Sequence, residues 1–181
     1  MSAKKPLLSA RDMAYVALGA ALIAVCAWIS IPAAVPFTLQ TFGVFCVLII
    51  LGGKRGTLSL LIYLLLGLVG LPVFSGMRGG PAALLGPTGG YILGFLLTGL
   101  CYLLAEKLVG KKLLYEVVAL VLGLVLCYAF GTVWFIHTYS AGEMTLNRAL
   151  SLCVWPFIPI DAGKMLLAFL IGCRVRKAIK A

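Results

Sequence analysis

Twelve of the fifteen basic residues gather in four clusters, Lys4/Lys5/Arg11, Lys54/Arg55, Lys107/Lys111/Lys112 and Arg174/Arg176/Lys177/Lys180, with long and mostly apolar stretches between them. Lysine and arginine accumulate in the cytoplasmic loops of membrane proteins, so six crossings with both ends inside would bring all four clusters to one side. Only Arg78, Arg148 and Lys164 then fall elsewhere. The net charge of +10 is therefore read as orientation in a lipid bilayer, and no nucleic-acid partner is expected. Composition agrees: 63% of residues are hydrophobic, 11% are charged and the mean hydropathy is +1.15, beyond the range of soluble domains. At about 20 apolar residues per crossing, the chain holds enough for about six.

The expected class is an all-α polytopic membrane protein: a six-helix bundle with a Gly/Pro-rich loop over its cavity and a kinked sixth helix. Residues 1–12 read as a cytoplasmic lead, 13–173 as a single transmembrane domain and 174–181 as a basic cytoplasmic tail. Spans are expected over about 13–31, 39–51, 57–71, 91–108, 113–135 and 146–173, the first stopping at Ile31-Pro32 and the third before Pro72. The Gly52-Gly53-Lys54-Arg55-Gly56 turn separates two spans too short for an easy perpendicular crossing. Pro156 and Pro159 divide the last span into two helical pieces. The first apolar run lacks a small-residue cleavage pattern, so it reads as a retained helix and not a signal peptide.

Between Gly67 and Gly90 the chain packs eight glycines and three prolines into 24 residues, a density that no spanning helix tolerates. Leu71, Val73, Phe74, Met77, Leu84 and Leu85 keep it from reading as a freely solvated loop. Nonhelical backbone at membrane depth must be covered by protein or line a cavity. A ligand lid and a purely structural cap both satisfy that demand. As a lid, its glycines would present backbone polar groups at close range, with Phe74 and Tyr91 enclosing an apolar body. Interfacial anchoring is the alternative for either aromatic, and Arg78 suits either attraction of an anion or solvation.

Asp161 and Lys164 lie three residues apart, on one helical face. Counting back from Arg174 at about 1.5 Å per residue puts Lys164 roughly 15 Å and Asp161 roughly 20 Å into the membrane. Charges at that depth cost several kcal/mol unless they find partners or face a cavity. A structural ion pair meets that requirement. So does a solute site on a broken helix, in which Lys164 takes a carboxylate and Asp161 accepts an amide or ureido N–H or fixes Lys164.

No serine elbow, metal triad, paired carboxylates or phosphate-binding loop is present in the sequence, so neither catalysis nor ATP hydrolysis is expected. The six cysteines are scattered without a CxxC pair, and the lone His137 has no partner at ligand spacing, so no metal and no cofactor are expected. Small residues recur at four-residue spacing as Ala10/Ala14, Ala17/Ala21 and Ala20/Ala24, a pattern that serves packing within the chain or docking to another membrane subunit.

Pro36-Phe37-Thr38-Leu39-Gln40, Gly70-Leu71-Pro72-Val73-Phe74, Gly86-Pro87-Thr88-Gly89-Gly90-Tyr91 and Pro156-Phe157-Ile158-Pro159 with Asp161 and Lys164 together carry a resemblance. The chain resembles the BioY family, the biotin-binding S components of energy-coupling-factor (ECF) transporters, from about Arg11 to Arg174. That resemblance implies biotin as ligand and a complex with a transmembrane coupling subunit and two ATPases. The implied setting is the bacterial inner membrane, with both termini cytoplasmic. It implies ligand contacts from Asp161, Lys164, Tyr91, Phe74, Thr38, Gln40, Gly80, Thr88 and Arg78, and partner docking through Ala17, Ala20, Ala21 and Ala24. A membrane-embedded enzyme acting on a small carboxylic acid, or a self-sufficient oligomeric transporter, is the alternative.

Overall fold

The computed structural model describes residues 9–33, 35–139 and 144–180. Lys4 and Lys5 of the first basic cluster, most of the expected lead and Glu143 in the last loop lie outside the described residues. Its elements are α1 (Ala10–Trp28), β1 (Ser30–Ile31), β2 (Phe37–Thr38), α2 (Gln40–Leu68), a 3₁₀ turn (Ser75–Met77), α3 (Pro81–Leu85), α4 (Gly89–Val109), α5 (Leu113–Thr138), α6 (Leu146–Cys153) and α7 (Phe157–Lys180). Among the described residues, five stretches are long and apolar enough to cross a membrane, with α6 and α7 counted as one. A reversal inside α2 supplies the sixth leg.

That reversal occurs at Gly52, whose φ of 79° and ψ of 172° break the helix. A Cβ on Gly56 would come within 3.1 Å of Leu48 Cα, which two residues eight apart on one straight helix cannot do. The Gln40 side chain likewise reaches the Tyr63 hydroxyl at 2.9 Å. Residues 40–51 and 53–68 thus form an antiparallel helical hairpin, the two short spans expected from the glycine turn. The turn is held by Glu106, whose Oε2 accepts from the Gly53 N–H at 2.5 Å.

The remaining departures from expectation are local. The proline-broken stretch after α1 forms a two-stranded antiparallel ladder, Ser30 opposite Thr38 and Ile31 opposite Phe37, which the sequence did not announce because two-residue strands have no readable period. The last helix begins at Phe157, earlier than Pro159 suggested. Pro159 sits in its first turn, where a missing N–H costs nothing. Asp161 is consequently in the second turn of α7. The chain continues as helix through Lys180, so most of the expected basic tail extends α7.

Small residues set how closely the helices approach. A Cβ on Gly94 would meet Cys127 Cα at 3.0 Å and one on Gly123 would meet Thr98 Cα at 2.8 Å, so α4 and α5 pack almost backbone to backbone. Ala20 and Ala24 of α1 are buried in the core, with Gly19 and Gly43 making the close contacts between α1 and α2. This corrects the docking reading for Ala20 and Ala24: their methyls are spent on packing within the chain. Ala17 and Ala21 remain exposed.

Ion pairs join the basic turns at one end of the bundle. Arg55 meets Asp12, Lys111 meets Glu106 at 2.8 Å and Arg176 meets the buried Glu116 at 2.6 Å. The Gly/Pro-rich segment closes the opposite end. It starts with a Schellman motif at the end of α2: Leu71 N–H bonds to Leu66 O and Gly70 N–H to Gly67 O, both 3.1 Å, with Gly70 at φ 102°. Two indoles then tie it down, Trp28 Nε1 donating to Pro72 O at 2.7 Å and Trp134 Nε1 to Gly86 O at 3.0 Å.

Candidate functional site

Under this tethered loop lies a cavity of about 740 Å³ including its open mouth. Residues from the hairpin ladder, α2, the loop, α4, α5 and α7 converge on it. Its walls are mainly apolar, with Phe74, Ile92, Phe95, Leu124 and Phe157 among the lining residues. Phe157 is held by stacking on Phe37, with ring centroids 4.3 Å apart and planes 9° from parallel.

The polar end is built around Asp161, which is 2% exposed. Its Oδ1 accepts from Lys164 Nζ at 2.7 Å and from the Thr41 hydroxyl at 2.8 Å. The Tyr128 hydroxyl donates to Oδ2 at 2.6 Å. Lys164 also donates to Thr41 Oγ1 at 3.0 Å. Helices α2, α5 and α7 therefore meet at a carboxylate whose charge is compensated by one ammonium and two hydroxyls. An ammonium has three donors, and two are engaged here; a carboxylate has about four lone-pair sites, and three are engaged. One N–H of Lys164 and one acceptor position on Asp161 Oδ2 remain.

Eight of the nine expected ligand contacts line the cavity: Asp161, Lys164, Tyr91, Phe74, Thr38, Gln40, Thr88 and Arg78. Gly80 stands apart. It is the N-cap of α3 at φ 86°, and its N–H donates to Gly67 O at 2.7 Å, so its part is in the shape of the loop. Gln40 is buried with its amide turned to Tyr63. Arg78 is exposed at the mouth, its Nε donating to Ser75 O at 3.1 Å. Among the described residues no carboxylate pairs with it.

Thr41 and Tyr128 were not foreseen. A tyrosine within an apolar span announces a hydroxyl in need of a partner, but nothing local says that the partner is 33 residues away on another helix. Thr41 is 120 residues from Asp161. With Asp161 and Lys164 opposed, the charged groups of the cavity are Arg78, Asp161 and Lys164, a balance of one positive charge. Such a site suits a partly apolar monoanion bearing a neutral group with adjacent donor and acceptor.

The sequence profile described as the BioY family matches residues 1–181. The chain is 43% identical to a protein named biotin transporter BioY from Thermotoga maritima over 87% of its own length and 90% of the relative's. It is 39% identical to a probable biotin transporter BioY from Pyrococcus horikoshii, covering 93% and 98% of the two chains. The fold superposes with a TM-score of 0.80 on a crystal structure described as the S component for biotin from an ECF-type ABC transporter. That likeness has 33% identity and covers 92% of this chain and 91% of the other.

Proposed function

The chain belongs to the BioY family, and from that premise we infer how its cavity holds biotin. The protein is a multi-pass membrane protein and the biotin-binding S component of an ECF transporter; its role is transport and not catalysis. The observation that carries the ligand reading is the joining of Asp161, Lys164, Thr41 and Tyr128 at the buried end of an apolar cavity with an unpaired Arg78 at its mouth.

In this reading the ureido group of biotin meets Asp161 and Lys164. The free ammonium N–H donates to the ureido carbonyl and the free carboxylate position accepts a ureido N–H. The valerate carboxylate points to Arg78. Placing that carboxylate at the buried end would set a second anion beside Asp161, whose charge already takes up that of Lys164, at the cost of like-charge repulsion. The orientation is the reverse of the one expected from the sequence, which offered the Lys164–Asp161 pair as an alternative and gave no sign of Thr41 beside it. Phe74, Tyr91 and Phe157 enclose the bicyclic body.

Calorimetric titration with biotin and biotin amide tests this. The parent protein should prefer the acid by about tenfold, the low end for a charge-assisted hydrogen bond at an exposed mouth. Arg78→Ala should abolish the preference and Lys164→Ala should keep it while weakening both ligands. Loss of the preference in Lys164→Ala alone would turn the ligand round. Absence of saturable biotin binding by folded parent protein would reject the ligand.

Transport follows from association with a transmembrane coupling subunit and two ATPases. The chain carries no phosphate-binding loop, and the exposed Ala17 and Ala21 on α1 offer a surface for close helix approach. The basic end faces the cytoplasm of a bacterial cell, in its inner membrane, with both termini inside. ATP-dependent accumulation should require those subunits, and a cysteine at position 54 should be labelled only from the cytoplasmic side; accumulation by the chain alone or labelling from outside would overturn the respective assignment.

A further inference from the structure

Phe74 and Tyr91 stand in different parts of the cavity wall, one on the loop and one on α4, yet both are seated in the same way. Each ring lies in a notch where a glycine of a neighbouring helix has no side chain. A Cβ on Gly67 of α2 would fall 1.9 Å from Phe74 Cζ and 2.5 Å from Cε1 and Cε2. A Cβ on Gly131 of α5 would fall 2.2 Å from Tyr91 Cδ1, 2.4 Å from Cε1 and 2.5 Å from Cγ. In both cases the three nearest atoms belong to the aromatic ring alone. Neither glycine has a positive φ, so backbone freedom does not call for glycine at either position.

Other contacts set the two rings in these notches. Phe74 is 1% exposed and packs edge-on against Tyr63 with centroids 5.4 Å apart. Its N–H bonds to Arg78 O at 2.9 Å, which fixes the loop around it. The Tyr91 hydroxyl shares a hydrogen bond of 3.0 Å with Thr132 Oγ1, next to Gly131 in sequence. The same stretch of α5 gives Leu124, Cys127 and Tyr128 to the cavity. Gly131 follows them by three to seven residues, on the same helical face.

We propose that Gly67 and Gly131 determine ligand specificity by setting the width of the cavity: they let Phe74 and Tyr91 recede so that the space between them accepts a fused bicyclic body. Carbon atoms pack at about 3.5–4.0 Å, so a methyl at either glycine displaces its ring by roughly 1.5 Å. On the glycine side the ring is blocked by helix backbone, and the cavity is the open side. The two glycines are positioning residues that act through the aromatics and do not touch the ligand. The specificity part rests on the biotin reading; the seating of the rings does not.

The test is a pair of double-mutant cycles, Gly131→Ala with Tyr91→Ala and Gly67→Ala with Phe74→Ala, read first as thermal unfolding without ligand and then as binding. Each glycine variant should lower the midpoint in the parent background and have little effect once its aromatic is removed. That coupling is expected whatever the ligand is, so it separates the failure of the seating from the failure of the biotin reading. Biotin affinity should fall about ten- to a hundredfold in Gly131→Ala, the range that overpacking costs imply. The loss should be much smaller for desthiobiotin, whose single ring is slimmer, so the ratio of the two affinities shifts. A merely structural glycine would weaken both ligands alike and would not move that ratio. If Gly131→Ala does not fold, its combination with Tyr91→Ala should restore folding. Equal losses with and without the aromatic, an unchanged ligand ratio, or a double variant that also fails to fold would each overturn the proposal for that position.

Discussion

Removing the ammonium of Lys164 should destabilise the protein far more than its single side chain suggests. Asp161 is 2% exposed and Lys164 10% exposed, with 2.7 Å between Oδ1 and Nζ. At an effective dielectric constant of about 20, their attraction is roughly 6 kcal/mol before the cost of taking either charge out of water. Breaking a buried pair by deleting one partner typically costs about 3–5 kcal/mol, since the remaining charge keeps its desolvation penalty. Thr41 and Tyr128 still donate to Asp161, so Lys164→Met should fall near the lower end, about 3 kcal/mol. Adding Asp161→Asn removes the stranded charge; of the hydroxyls of Thr41 and Tyr128, the one facing the new amide nitrogen can turn to accept while the other still donates to its oxygen. The double variant should recover about 2 kcal/mol of the loss. Unfolding of purified protein in detergent, followed without ligand by intrinsic fluorescence, measures all three proteins. A double variant as unstable as Lys164→Met, or a Lys164→Met protein as stable as the parent, would refute the claim that burial of an uncompensated carboxylate dominates the effect.

Tyr128→Phe deletes the 2.6 Å hydrogen bond to Asp161 Oδ2 while keeping the ring, so biotin should bind about tenfold more weakly with the fold retained; unchanged affinity by calorimetry would remove Tyr128 from the site. Gly52→Ala forces a side chain into a backbone region at φ 79° and ψ 172° that is essentially reserved for glycine, at a cost of about 1–3 kcal/mol. Its unfolding midpoint should drop while biotin affinity holds, because the turn is at the opposite end from the cavity; a change in affinity without a change in stability would contradict that separation.

What the amino-acid sequence determined alone was local or cumulative: the apolar lengths and clustered cations that define the spans and gather the basic turns, the glycine and proline density that forbids a spanning helix over residues 67–90, and the three-residue spacing that sets Asp161 and Lys164 on one face. Hydropathy, helical period and backbone propensity act within a few turns of chain, so they can be read without knowing what packs against what. Tertiary structure decided what depends on the tilt and rotation of neighbouring helices. It turned Ala20 and Ala24 inward, brought Thr41 and Tyr128 to a carboxylate 120 and 33 residues away, and set Gly67 and Gly131 behind the aromatics of the cavity. In an apolar span each of these residues looks like many others. Its role arises only when a second helix places an atom within about 3 Å of a polar group, where a hydrogen bond forms, or within about 2 Å of where a Cβ would stand.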